Sequence, residues 1–193
     1  MFDPSATDVY YFAPQKALAA DGGLWIAMMS PAAIERIERI SASGRWIPPS
    51  LDLKIALDNS RKDQTYNTPA LATVFLTTET VNWFNDNGGL SWSSGRSRQS
   101  AEILYGWAEA SPVATPFVQI ESQRSRVVAT IDFDESVSAD TIDDIMRANG
   151  IIDINGYRKL GRNQLRIGMF PAIEPSDTEA LTRCLDYVIA ALA

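Results

Sequence analysis

Histidine is absent from the 193 residues. Without an imidazole, histidine-based nucleophile triads, histidine metal sites and imidazole acid–base catalysis are excluded. Cysteine is nearly absent as well. The only one, Cys184, falls in a helical pattern, so no intrachain disulfide forms and the residue reads as a core thiol in a reduced, cytoplasmic setting. Positive charge is scarce: 17 Lys and Arg stand against 24 Asp and Glu, a net charge of −7. A phosphate backbone is held by clustered Lys and Arg, so general nucleic-acid binding is disfavoured and any anion site must be local. No apolar run approaches the roughly 20 residues that span a bilayer, so no membrane partner is expected. The opening MFDPSATD lacks the basic stretch of a signal peptide.

The length suits one large domain or two small ones with a substantial core. Near the start, VYYFA (9–13) is β-branched and aromatic and ends at Pro14, the pattern of a short buried strand. Lys16 follows directly. Asp21, Gly22 and Gly23 then make a turn into a second apolar strand, 24–29. Lys16 therefore sits just past a strand end, where α/β folds keep their chemistry, although a solvated loop lysine fits the same stretch. Ser30 and Pro31 open a helix as cap and first residue, with Ile34, Ile37 and Ile40 as its apolar stripe and Gly44 at its end. Residues 45–63, with a double proline and mixed polarity, predict an extended crossing with little regular structure.

A polar segment, QTYNTP (64–69), precedes a helical run over 70–85 that Asn67 or Thr68 would cap. Free N–H groups at such a helix start also suit an anion. Asn87, Gly88 and Gly89 break that run, and a second helical pattern covers 91–110 with Ile103, Leu104 and Trp107 inward. Beyond Pro112 the pattern is strand (126–133), helix (139–149, closed by Gly150), strand (164–170) and a last helix, for which Ser176 to Glu179 reads as a capping box. No internal repeat or low-complexity tract interrupts the chain. The helix over about 91–110 reads as the connection between two lobes.

Three motifs in order carry a resemblance: APQK (13–16), YNTP (66–69) and GYRKLGRNQLRIGMF (156–170). Together they resemble the phosphoserine aminotransferases, fold-type I enzymes of the class V aminotransferase group that depend on pyridoxal 5′-phosphate (PLP). The likeness is greatest to the actinobacterial branch. It implies an α/β fold in which residues 1–90 end a large PLP-binding domain and residues 91–193 form a small C-terminal α+β domain. By that resemblance Lys16 is the catalytic lysine that bonds to the cofactor, and Gln15 helps hold its phosphate. Asn67 and Thr68 reach the same phosphate from a neighbouring subunit, implying a homodimer. Arg166 grips the substrate carboxylate, while Arg158 handles its phosphate or second acidic group. Tyr157, where many members have histidine, joins the substrate-binding set, and Arg162 in the same loop reads as solvated.

Those residue types suit that chemistry. A primary amine both bonds to an aldehyde and, once displaced, moves protons, provided its affinity for a proton is lowered from the ordinary pKa of about 10.4. The planar fork of arginine makes two parallel hydrogen bonds to a carboxylate. The reaction implied is amino transfer from glutamate to 3-phosphohydroxypyruvate in serine biosynthesis. Family members are about twice as long, so the chain is expected to be a C-terminal half, inactive alone. The rival readings are another class V aminotransferase acting on a small oxo acid, and a non-catalytic folding or dimerisation fragment without cofactor. No metal is expected.

Overall fold

A computed structural model describes residues 3–157 and 160–192. Two units make it up: one holds the residues up to Lys16 with Ala20–Glu79, the other Ala17–Ala19 with Thr80 onward. Strands and helices mix in both, as the α/β reading expects.

In the first unit, β1 (Val9–Phe12) and β2 (Ile26–Met29) pair antiparallel, with Val9 opposite Met29 and Phe12 opposite Ile26. Their burial departs from expectation. Tyr11 is 75% exposed, Met28 53% and neighbouring Trp25 54%. Apolar sequence made the strands, but a two-stranded sheet has too few neighbours to bury both faces. Helix α1 (Pro31–Ser41) begins as its sequence indicates: the Ser30 hydroxyl accepts from the Ala33 N–H at 3.1 Å and donates to the Asp8 carboxylate at 2.6 Å. Ala33 and Ile37 are its buried residues.

The segment expected to be irregular contains a helix, α2 (Leu53–Ser60). Both prolines lie ahead of it, where they cannot interrupt its hydrogen bonds, and Asp52 caps it by accepting from the Lys54 N–H at 2.8 Å. Lys54 then pairs with Asp58 on its own helix and lies 3.5 Å from Glu38 of α1. Helix α3 (Leu71–Asp86) starts two or three residues later than a cap at Asn67 or Thr68 requires. In its first turn, buried Thr73 donates its hydroxyl to the Gly22 carbonyl at 3.0 Å.

In the second unit, Gly88 and Gly89, both at positive φ, lead into α4 (Gly89–Ala110). Strands β3 (Ala114–Pro116), β4 (Val128–Phe133) and β5 (Gln164–Gly168) form an antiparallel sheet in that order. The alternation of β4 and β5 splits the sheet into two faces. Ala129, Ile131, Phe133, Leu165 and Ile167 point into the core, against Leu104 of α4, Ile142 and Met146 of α5 (Ala139–Ala148), and Leu185 of α6 (Pro175–Leu192). Helix α5 is capped by Ser138 and closed by Gly150 at φ 84°. Helix α6 begins one residue before the expected cap, because Pro175 takes the first helical position and the Glu174 carbonyl receives the Asp177 N–H at 2.9 Å. Arg96 ties that start to α4: it donates to the Pro171 and Ile173 carbonyls and to the Glu174 carboxylate, while lying 4.9 Å over the Trp92 ring.

Candidate functional site

Lys16 stands in the loop between β1 and β2. The loop's neck is fixed: Pro14 and Ala20 are buried, and the Ala20 N–H donates to the Pro14 carbonyl at 3.2 Å. Ala19, at φ 48°, takes the left-handed conformation that such a reversal demands of a non-glycine residue. Gln15 and Lys16 are exposed at the tip. Neither side chain has a hydrogen-bond or ion-pair partner among the described residues. Asn67 and Thr68 lie in the exposed segment between α2 and α3, where the Thr65 hydroxyl donates to the Asn67 carbonyl. No hydrogen bond joins them to Gln15 or Lys16 among the described residues.

The third motif surrounds β5. Arg166 lies on the sheet face opposite the core, across from Thr130. The half-buried cations Lys54, Arg96 and Arg124 each hold a carboxylate within 4 Å. Arg166, half-buried too, holds none among the described residues. Its guanidinium lies 5.2 Å from the ring centroid of Tyr157, which is 48% exposed. Arg158 lies outside the described residues. The turn before Tyr157 is set by backbone contact, since a Cβ at Gly156 would stand 2.8 Å from the Gln164 carbonyl oxygen. Only glycine lets the two segments approach so closely.

Arg162 is not simply solvated. It makes a two-pronged contact with Asp132 of β4, and its guanidinium lies 4.8 Å over the Phe117 ring. The hydrogen bond to Asp132 raises its pKa further above the ordinary arginine value. Gln164 also donates to Asp132, at 2.7 Å. The sequence held one hint of this, since Asp132 alternates with the core residues of its strand and so must face the other way. It held none of the partner, thirty residues on. A cleft of about 420 Å³ beside this loop is lined by Asp140, Tyr157, Arg162 and Gln164 among others. Among the described residues, no group of three His, Cys, Asp or Glu gathers to hold a metal.

The fold is shared with solved aminotransferase structures over about half of their length. A phosphoserine aminotransferase structure from Cytophaga hutchinsonii superposes with a TM-score of 0.87 at 21% identity, covering 96% of this chain and 51% of its own. A PLP-bound phosphoserine aminotransferase from Trichomonas vaginalis gives 0.80 at 15% identity, covering 96% and 50%. In sequence the particular resemblance is borne out: the phosphoserine aminotransferase of Rhodococcus jostii is 59% identical over 185 residues, 96% of this chain. The chain spans about half the length of the curated relatives it matches. No family model matches.

Proposed function

We propose that the chain is the C-terminal part of a phosphoserine aminotransferase that transfers the amino group of glutamate to 3-phosphohydroxypyruvate. The products are 2-oxoglutarate and O-phospho-L-serine, for serine biosynthesis in the cytoplasm. Residues 1–90 belong to the end of the large cofactor domain and residues 91–193 to the small one, and the working form is a homodimer. The observation that carries this reading is the free amine of Lys16, held on a pinned loop within a chain 59% identical to a phosphoserine aminotransferase.

The donor set suits PLP. Lys16 offers an unpaired primary amine, Gln15 an amide beside it, and Asn67 and Thr68 an exposed amide and hydroxyl of the kind that binds phosphate. When bound, PLP supplies an aldehyde and an electron-withdrawing ring that makes protons on the adjoining carbon acidic. Lys16 Nζ takes a proton from the substrate Cα and later returns one. Gln15 holds the cofactor phosphate from its own subunit, and Asn67 and Thr68 from the partner. Arg166 orients the substrate carboxylate by two parallel hydrogen bonds, which fixes which Cα bond is presented to the base. Tyr157 and Arg158 receive the second acidic group.

Borohydride reduction of the protein with PLP, followed by peptide mapping, should mark Lys16. Labelling at Lys54 or Lys62 instead would sink the assignment. A second reading, a fragment that holds no cofactor, draws on the exposure of β1 and β2. It predicts no absorbance change when PLP is added to the chain alone.

A further inference from the structure

On the sheet face that carries Arg166, the neighbouring strand places Thr130 directly opposite and Asp132 diagonally, two residues on. Diagonal neighbours across a strand pair are within reach of a long side chain. Asp132 is the only carboxylate that β3, β4 or β5 contributes to that face, whose other strand residues are Thr115, Val128, Thr130, Gln164, Arg166 and Gly168. A half-buried arginine beside a free aspartate would pair with it, as Arg96 and Arg124 pair with Glu174 and Glu109.

Among the described residues Arg166 has no such pair, and Asp132 is already taken. One carboxylate oxygen accepts from Arg162 Nε at 3.2 Å and from Gln164 Nε2 at 2.7 Å, and the other accepts from Arg162 Nη2. Arg162 is itself held by stacking over Phe117. On the other side of Arg166 stands an aromatic ring, that of Tyr157, which attracts a guanidinium without neutralising it.

We propose that Arg162 is a positioning residue for anion recognition: by occupying Asp132 it leaves the Arg166 guanidinium free for a carboxylate from outside the chain. This rests on the reading of Arg166 as a substrate-carboxylate ligand. Arg162 thus contributes a charge to the motif without touching the substrate. Losing it does two things. Asp132 becomes an internal competitor for Arg166, and its uncompensated negative charge repels the incoming carboxylate. Both weaken binding, and both vanish when Asp132 is neutralised.

The test follows the Arg166 Nε–H signal by NMR in this chain, alone and during titration with glutamate. In Arg162→Met the signal without ligand should move, and in Arg162→Met/Asp132→Asn it should return to its original place. Glutamate binding should weaken about tenfold in the single variant, the scale of one unscreened charge nearby, and recover to within about twofold in the double variant. Asp132→Asn alone should bind at least as well as the parent. A merely structural role for Arg162 would be worsened, not cured, by removing its partner, so failure of rescue overturns the proposal. An Arg166 signal indifferent to Arg162 overturns it as well. Failure of the underlying reading looks different: glutamate leaves the Arg166 signal unmoved in the parent chain, while the ligand-free shifts still follow Asp132 and Arg162.

Discussion

A side chain's chemistry here depends on what its neighbours leave unsatisfied. Among the half-buried cations of the described residues, Arg166 is set apart by lacking a carboxylate, while Lys54, Arg96 and Arg124 each have one. Arg166→Ala should raise the KM for glutamate and weaken transamination in the complete enzyme by about 2 to 5 kcal/mol, the usual cost of removing one partner of a desolvated charge pair. Arg166→Lys should recover little, since an ammonium makes no two-pronged contact. Near-parental kinetics for the alanine variant would show that another cation holds the carboxylate. At Gly156 the constraint is steric. Gly156→Ala brings a methyl to 2.8 Å from the Gln164 carbonyl oxygen, and the backbone must shift to admit it. That should cost about 1–3 kcal/mol of stability, the range for overpacking, read from the denaturation midpoint of the second unit.

Elements were legible where their signals are local. Ser30 and Pro31 opened α1, Gly88 and Gly89 separated α3 from α4, and the strand pattern over 126–133 located β4. Misreadings arose where a local signal competed with another or depended on partners. Pro48 and Pro49 hid α2, although Asp52 supplied its cap. Ser176 looked like the start of α6, yet Pro175 with its fixed φ claimed the first turn. Composition made β1 and β2 strands but said nothing about what would cover them. The α6 start carries a pH signature. Its hydrogen bond to Arg96 lowers the pKa of Glu174 below the usual 4.5. With the folded value depressed, the stabilisation is complete above the unfolded value and is lost as pH falls through the folded one. Glu174→Gln should therefore melt earlier than the parent near neutral pH, with the gap closing in acid. A gap that persists unchanged at pH 2 would show that the pair contributes nothing electrostatic.

At the scale of the whole molecule, hydrophobic burial is unevenly shared between the two units. The contiguous core, from Ala101 to Val188, lies wholly in the second. In the first, the buried apolar residues are small or few, with Ala20, Ala33 and Ile37 foremost, while Tyr11, Trp25, Trp46 and Phe75 are exposed. Since burial of apolar surface is the main force opposing chain entropy, the two units should not unfold together. Urea should give two transitions, the first reported by Trp25 and Trp46 and the second by Trp83, Trp92 and Trp107. Leu165→Ala, which empties a fully buried position, should shift only the second, by about 2–5 kcal/mol. The exposed apolar side chains of the first unit also favour self-association, so the solution mass should rise with concentration and fall when Tyr11 and Phe75 are both replaced by serine. A monomer at all concentrations, unfolding in one step with every tryptophan reporting together, would overturn the account of unequal burial in the two units.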